Sequence, residues 1–303
     1  MAAELVIVGA GPAGVSAALW ARSRDLSALL LEAADKPGGQ LHHVHFSPRE
    51  LPGVEAATGD VLASRYERQL SSAEVAVRYG ARASALVDGP AVVLADGTRV
   101  AAPAVLIATG ARRRRLEVPG ERELEGRGVS YSATLDRERF RGRRMAVVGG
   151  GDAAYENALI LAAADCDVTL LVRDEVPRAR PEFRERVAAE PRVQIVQGVH
   201  VTSIAGNGAV HAVYIDGTGG PRAVEVAGVV IKVGDVPNTE WLGDALALDA
   251  ERYVVVDEHY RTSMRGVWAA GDVIHSPLPS IAVAVGTAAL AVADVRATLK
   301  GGE

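Results

Sequence analysis

Two short stretches decide the fold: residues 5–14 read LVIVGAGPAG, and residues 144–154 read RMAVVGGGDAA. In both, an apolar run is followed by glycines at the spacing G-x-G-x-x-G or G-x-G-x-x-A, and a helical pattern comes next. This order is typical of a strand–turn–helix unit that binds a dinucleotide, because the first glycine permits a tight turn and the second lets backbone approach a pyrophosphate. The third small residue lets the helix pack closely on the strand. Two such fingerprints predict an α/β fold with two domains.

The first fingerprint, residues 9–14, stands in a context that makes the motif specific. A second apolar strand, Ala28–Leu31, follows it and ends at Glu32. An acidic residue about 20 positions after such a turn can accept hydrogen bonds from the ribose hydroxyls of an adenosine. Two later strands also end in small residues: residues 105–110 read VLIATG, and residues 266–272 read GVWAAGD, before a long apolar helix.

The second fingerprint, residues 149–154, leaves open which nicotinamide dinucleotide it would hold. The strand after it leads into the charged stretch RDEVPR. NADPH needs cations for its 2′-phosphate, and NADH favours a carboxylate for its 2′-hydroxyl. Arg173 and Arg178 are candidates for a phosphate clamp, whereas Asp174 and Glu175 oppose one. A solvated charged loop is the third interpretation.

Composition narrows the function classes. Of the 303 residues, 49% are apolar and 4% are aromatic, which is enough for a large core built mainly of aliphatic side chains. The formal charge of -5 predicts binding neither to nucleic acid nor to an anionic membrane. The chain runs early into a strand and has no uninterrupted apolar run of about 18 residues, so we expect a cytoplasmic enzyme without a membrane segment. The single cysteine, Cys166, excludes an intrachain disulfide.

Along nearly its whole length the chain resembles the low-molecular-weight thioredoxin reductases. The segments that carry the resemblance are, in order, GAGPAG, GGQL, ATGA, GVSYSATLD, GGGDAAYENAL, VGDVPNTE and AAGDV. The resemblance implies two Rossmann-like, three-layer dinucleotide-binding domains, with the nucleotide domain inserted into the FAD domain. It implies an FAD-binding domain made of residues 1–113 and 242–303 and an NAD(P)-binding-like domain of residues 114–241. A homodimer is expected on the same ground.

The resemblance also implies where the cofactors bind. The ATG turn would lie near FAD, and the aspartate of the Gly-Asp pair would bind the ribityl chain. The amino terminus of the last helix would face the flavin pyrimidine, where its dipole stabilises negative charge. The residues expected to bind FAD are Gly9, Gly11, Pro12, Ala13, Gly14, Glu32, Ala33, Gly39, Gln40, Leu41, Ala108, Thr109, Gly110, Gly271, Asp272, Ser280 and Ile281. Those expected to bind NADPH or NADH are Gly149, Gly151, Asp152, Ala153, Ala154, Arg173 and Arg178.

The chain departs from the family at the redox dithiol. The family motif is C-A-T-C-D, and this chain reads SATLD over residues 132–136. Ser132 and Leu135 occupy the cysteine positions, and neither side chain can attack a disulfide or accept electrons from a flavin. Cys166 lies elsewhere and is interpreted as a structural residue. We therefore expect no thioredoxin reductase activity, and the chemistry is centred on the flavin, with no catalytic side chain assigned.

On the nucleotide side the chain departs from the family twice. The family carries His-Arg-Arg where this chain reads Val172-Arg173-Asp174, and an Arg-Gln pair where this chain reads Pro279-Ser280. The FAD side is retained almost completely. The sequence therefore predicts FAD as a cofactor and leaves NADPH, NADH or neither as its reductant.

Two clusters of basic residues have more than one interpretation. His42, His43 and His45 have three interpretations: metal ligands, residues that contact substrate or tune the flavin, and simple loop residues. No metal is predicted, because no cysteine or carboxylate near them has an obvious ligand spacing. The arginine run, residues 112–115, is a solvated hinge or a docking site for an acidic electron carrier.

The function expected is that of an FAD-dependent oxidoreductase. It would pass hydride from NAD(P)H to FAD and then hand electrons directly to ferredoxin or flavodoxin, to a quinone or to another small molecule. One alternative is an FAD enzyme with a degenerate nucleotide site that takes electrons from another donor or substrate. The other is a non-catalytic flavin-binding sensor.

Overall fold

The computed structural model describes residues 3–44, 48, 51–54 and 57–301. The chain divides into two units: Arg113–Asp235 form unit 2, and the residues on either side of this insert form unit 1. The sequence placed the insert at residues 114–241. The return boundary falls earlier because residues 238–239 hydrogen-bond within unit 1, to Thr109 and Arg252. The assignment of a cofactor to each unit stays a prediction.

Unit 1 is built on a parallel sheet that is accompanied by a smaller antiparallel one. Its elements are β1 (Leu5–Val8), α1 (Pro12–Ser23), β2 (Ala28–Leu31), a 3-10 helix (Gly39–His43), α2 (Gly59–Ser72), β3 (Ala76–Arg78), β4 (Ala83–Val87), β5 (Ala91–Leu94), β6 (Arg99–Ala101), β7 (Ala104–Ile107), a second 3-10 helix (Glu240–Leu242), β18 (Val267–Ala269) and α6 (Ile281–Lys300). The five-stranded parallel sheet has the strand order β18-β7-β1-β2-β3. The three-stranded antiparallel sheet has the order β4-β5-β6. Strands β8 (Ala111–Arg113) and β17 (Asp235–Pro237) pair where the chain leaves and re-enters this unit.

Unit 2 repeats this plan. Its elements are β9 (Val129–Ser130), α3 (Ala133–Phe140), β10 (Arg144–Val148), α4 (Asp152–Ala162), β11 (Asp167–Val172), α5 (Pro181–Ala188), β12 (Val193–Gln197), β13 (Val199–Gly206), β14 (Val210–Gly217), β15 (Arg222–Glu225) and β16 (Gly228–Ile231). The parallel sheet has the order β12-β11-β10-β16-β9, and the antiparallel sheet has the order β13-β14-β15.

Both units have three layers, and the central strands show why. Alternate residues of a strand point to opposite faces of its sheet. In β1, Leu5 and Ile7 pack with α1 and α6, whereas Val6 and Val8 pack with the antiparallel strands. Strand β10 divides its side chains in the same way between helix α4 and the strands β13 and β14. The prediction of two Rossmann-like, three-layer domains is thereby confirmed.

Helix α6 is long and apolar enough to cross a membrane by length and composition, although no uninterrupted apolar run of that length occurs in it. One such helix is weak evidence for a membrane span, because core helices pass the same test. One face of α6 is buried in the core of unit 1, where it packs against α1. The buried residues of α6 are Ala284, Ala288, Ala291, Val292 and Val295.

Candidate functional site

The first fingerprint forms a turn in which the first and third glycines contact backbone closely, whereas the middle glycine faces open space. Gly9 has a φ of 102°, and a Cβ added to it would lie 2.5 Å from the carbonyl oxygen of Ala108 at the end of β7. A Cβ on Gly14 would lie 1.7 Å from the carbonyl oxygen of Gly9. A Cβ on Gly11 would meet no atom within 4 Å. Larger residues are therefore excluded where backbone packs on backbone, and the turn is open at the middle glycine, where a pyrophosphate would approach.

Glu32 follows β2 and closes the same turn. Its carboxylate accepts hydrogen bonds from the backbone N–H of Ala10 at 2.7 Å and of Ala34 at 2.8 Å. A carboxylate has about four acceptor positions, so two remain for the hydroxyls of a ribose. Helix α1 starts at Pro12, and no side chain caps its first N–H groups. These features fit the adenosine and pyrophosphate of FAD.

The loop after β2 returns to the first fingerprint. The N–H of Gly38 donates to the carbonyl of Ala10 at 2.8 Å, and a Cβ on Gly39 would lie 3.2 Å from Cα of Gly11. Gln40 is half-buried and Leu41 is buried. The predicted FAD residues of this loop therefore lie beside the open turn.

Further predicted FAD residues follow β7, which lies next to β1 in the sheet, and β18, which lies on the other side of β7. Thr109 is tied to Asn238 by two hydrogen bonds, of 2.9 and 2.8 Å. The N–H of Gly271 donates to Thr287 at 3.0 Å, and Asp272 follows it. Ser280 caps α6 by accepting from the N–H of Val283 at 3.3 Å. The carboxyl ends of parallel strands meet at one edge of a sheet, so these segments share the edge where ligands bind in such folds.

The second fingerprint has the same closed backbone with different neighbours. Gly149 has a φ of 146°, and a Cβ added to it would lie 2.1 Å from the carbonyl oxygen of Lys232, just after β16. A Cβ on Gly151 would meet no atom within 4 Å. Asp152, the first residue of α4, accepts from the N–H of Arg180 at 2.7 Å and pairs with its guanidinium at 2.5 Å. The backbone of this turn fits a dinucleotide. The ion pair of Arg180 and Asp152 stands at the amino terminus of α4, beside the turn.

Charged side chains stand beside the second fingerprint. Asp174 lies between two arginines: its oxygens are 3.2 Å from Nε of Arg173 and 3.9 Å from Nε of Arg178. Lys232 is half-buried, and burial together with the charge of Arg113 lowers its pKa to about 8. The sequence had named both clamp arginines, but their pairing with Asp174 follows only from the folded loop.

Ser132 and Leu135 occupy the start of α3. The Ser132 hydroxyl caps the helix by accepting from the N–H of Leu135 at 3.4 Å, and the Leu135 side chain is exposed. Cys166 is fully buried in unit 2, where its thiol donates to the carbonyl of Phe140 at 3.0 Å. Burial raises the pKa of this thiol, which makes it a poor nucleophile.

The basic clusters are largely engaged. Arg112 bonds to Asn238 and pairs with Glu240. Further along the arginine run, Arg114 donates to the carbonyl of Asp235, and Arg115 pairs with Glu125. These arginines therefore have partners within the chain, and both interpretations of the run, hinge and docking site, stay predictions.

Of the three histidines, His42 has the clearest surroundings. Its Nδ1 lies 2.8 Å from Asp60, and its Nε2 lies 3.0 Å from the carbonyl oxygen of Pro37. His43 is exposed, and His45 lies outside the described residues. Within the described part of the chain, no three His, Cys, Asp or Glu side chains form a group that could hold a metal.

Sequence reasoning missed three residues at these sites: Lys232, Arg180 and Asn238. Lys232 and Asn238 belong to the stretch KVGDVPN, which directly follows β16. Lys232 could also have been found by comparing the two units, because the segment KVG that begins at Lys232 takes the same place after its strand as the segment ATG that begins at Ala108. Arg180 gave no sequence signal, since its partner Asp152 lies 28 residues away.

Comparison with known proteins agrees with this geometry. The family model described as pyridine nucleotide-disulphide oxidoreductase matches residues 3–288. The thioredoxin reductase of Listeria innocua is 36% identical over 298 residues, which cover 95% of this chain and 91% of that protein. One alkyl hydroperoxide reductase subunit, from Pseudomonas putida, is 34% identical over 296 residues. These cover 95% of this chain but 56% of that protein, so the chain spans about half its length.

Solved structures give the same answer for the fold. The crystal structure of Lactococcus lactis thioredoxin reductase superposes with a TM-score of 0.83 at 31% identity, covering 97% of both chains. The family uses FAD and NAD(P)H, and both fingerprints of this chain have the backbone that such cofactors need. The chain therefore belongs to the pyridine nucleotide-disulphide oxidoreductase family, and it is thioredoxin reductase-like in sequence and fold.

Proposed function

We propose that this chain takes electrons from a nicotinamide dinucleotide and delivers them directly to an acceptor, without a protein dithiol and without thioredoxin reductase activity. The observation that carries the proposal is that its only cysteine, Cys166, is buried and bonded to a backbone carbonyl. The acceptor classes are ferredoxin or flavodoxin, a quinone, or another small molecule.

The chain's own residues bind and orient in this proposal. Gly9 and Gly11 admit the FAD pyrophosphate to the amino terminus of α1, and Glu32 accepts from the adenosine ribose. The second fingerprint does the same for the nicotinamide dinucleotide. The two cofactors supply hydride transfer, which needs no acid or base from the protein.

The relatives support two further parts of the proposal, a homodimer and a cytoplasmic location. The paired charges of the arginine run give no support to an acidic carrier docking there. A quinone or another small molecule is therefore the acceptor class we favour.

The test is an anaerobic titration of the FAD-loaded protein with NADH and, separately, with NADPH, following the visible flavin absorbance. We expect stoichiometric bleaching by at least one of the two. If neither bleaches the flavin while dithionite does, the nucleotide site is degenerate and the proposal fails.

A thiol titration tests the dithiol-free part separately. Ellman's reagent should react with no thiol in the native protein and with a single thiol after denaturation, because Cys166 is fully buried. Turnover of a disulfide substrate at a rate comparable with flavin reduction would contradict the proposal.

A further inference from the structure

The two fingerprints can be compared residue by residue, because the same hydrogen bond closes each turn. The N–H of Gly9 donates to the last carbonyl of β2 at 2.8 Å, and the N–H of Gly149 donates to the carbonyl of Leu171 in β11 at 3.0 Å. The residue after each acceptor carbonyl is therefore equivalent. Glu32 in unit 1 corresponds to Val172 in unit 2.

A second hydrogen bond confirms this correspondence. The N–H of Gly38 donates to the carbonyl of Ala10 at 2.8 Å, and the N–H of Ala179 donates to the carbonyl of Gly150 at 2.9 Å. In both units the loop after the second strand thus returns to the residue that follows the first glycine. In unit 2 this loop is residues 173–178, and we call it the clamp loop.

The acid that holds the turn of unit 1 has no counterpart at the same place in unit 2. Glu32 accepts from the N–H of Ala10. Val172 is fully buried, and its Cγ1 would lie 3.1 Å from a Cβ added to Gly150. An alkyl group therefore fills the position from which, in unit 1, a carboxylate would accept from the ribose hydroxyls.

The clamp loop supplies a carboxylate two residues later, with a cation on each side. One oxygen of Asp174 faces Arg173 at 3.2 Å, and the other faces Arg178 at 3.9 Å. The two arginine side chains are 77% and 74% exposed, whereas that of Asp174 is 40% exposed. Both guanidinium groups are thus turned towards the carboxylate. Arg180, the next cation, is paired with Asp152 and Glu182.

We propose that Asp174 determines which nicotinamide dinucleotide binds, and that it selects NADH. This inference rests on the proposed function of unit 2. The carboxylate accepts from the 2′-hydroxyl of the adenosine ribose, and Arg173 and Arg178 hold it in position. A 2′-phosphate has to displace this carboxylate from both guanidinium groups and remain beside it. Close like charges discriminate strongly, so we expect about tenfold or more in affinity.

The test uses two probes that differ only by the phosphate and cannot reduce the flavin. ADP-ribose and its 2′-phosphate are titrated calorimetrically into the FAD-loaded full chain. The wild type is expected to bind ADP-ribose about tenfold more tightly. Asp174→Asn removes the charge and keeps the shape, and it should reduce or reverse that ratio by about tenfold. Glu175→Gln is the matched control: it removes the same charge one residue along the clamp loop, and within this described loop Arg173 and Arg178 pair with Asp174 and not with Glu175, so the ratio should stay nearly unchanged.

The outcomes separate this inference from the proposed function. If neither probe binds and neither nucleotide bleaches the flavin, both fail. If a nucleotide bleaches the flavin but the wild type prefers the phosphorylated probe, only the inference is overturned. The same holds if Asp174→Asn and Glu175→Gln change the ratio equally. Selective loss of discrimination in Asp174→Asn supports it.

Discussion

The two fingerprints of this chain share a backbone and differ in the side chains around it. In each, a Cβ on the first glycine would collide with a carbonyl oxygen of the neighbouring strand, that of Ala108 in unit 1 and that of Lys232 in unit 2. Ala108 and Lys232 are therefore equivalent. Pro12, at the start of α1, corresponds to Asp152, at the start of α4. The first glycine is repeated where backbone touches backbone, whereas the side chains around it differ: unit 1 has Pro12 and Glu32 where unit 2 has Asp152 and Val172.

The third small residue of the fingerprint gives the largest expected effect. A Cβ on Gly14 would lie 1.7 Å from a carbonyl oxygen, so α1 would have to move away from β1. Overpacking of this kind costs about 1–3 kcal/mol or more. The equivalent residue in unit 2 is already an alanine, Ala154. We expect Gly14→Ala to lose most of its FAD during gel filtration and Ala154→Gly to keep it. Full FAD retention by Gly14→Ala would contradict the idea that unit 1 needs a glycine where unit 2 tolerates Ala154.

Burial of Lys232 predicts that the stability of the protein depends on pH. Burial, and secondarily Arg113, lowers its pKa from 10.5 to about 8, so the unfolded chain binds more protons than the folded one between those values. Stability therefore rises with pH across that window, and the charged lysine costs stability below it. At about 1.4 kcal/mol per pKa unit, Lys232→Met should stabilise the protein by up to about 3 kcal/mol at pH 7. Urea unfolding from pH 7 to 10.5 should show this gain shrinking as pH rises; a gain independent of pH would contradict the assignment.

Two glutamates that both accept backbone N–H groups should respond differently. Glu121 is fully buried and accepts from the N–H of Leu116 and Glu117 and from the hydroxyl of Tyr131. Glu121→Gln places an amide donor against these donors, which should cost about 1–3 kcal/mol in urea unfolding without changing FAD content. Glu32→Gln should instead weaken FAD binding. Equal effects of both variants on FAD content would contradict the ligand role of Glu32.

The smallest effect is expected at Ser132. Its capping hydrogen bond is long, at 3.4 Å, so Ser132→Ala should cost at most about 1 kcal/mol. The rate of flavin reduction should not change, because the residue has no redox role in the proposed function. Ser132→Thr, which keeps the capping hydroxyl, is the control for stability. A large loss of flavin reduction in Ser132→Ala alone would assign that hydroxyl a chemical role.

The parts of the fold that follow short-range rules could be predicted from the sequence. The strands β1, β2 and β10 were predicted with the bounds that the structure has, because in each case a run of four apolar residues ends at a glycine or an acid. Both fingerprints followed from glycine spacing. Glycine is required there for a reason local to each turn, namely the positive φ at Gly9 and Gly149.

The recognition chemistry of unit 2 could not be predicted in the same way. That Val172 stands where Glu32 does depends on the pairing register of two strands, which the sequence does not display. The pairing of Asp174 with two arginines depends on loop conformation. The engagement of Arg112 by residues more than a hundred positions away depends on how the chain returns to unit 1.

The contact between α1 and α6 has a consequence for how the chain is made. The Ser16 hydroxyl donates to the carbonyl of Val285 at 2.9 Å, and Arg296 donates to the carbonyl of Arg24 at 3.2 Å. Unit 1 therefore cannot complete its core until the ribosome has synthesised α6, whereas unit 2 is continuous and can fold earlier during translation. Until then the apolar residues of α1 that pack on α6 stay exposed, and exposed apolar surface of this kind makes a nascent chain prone to aggregate.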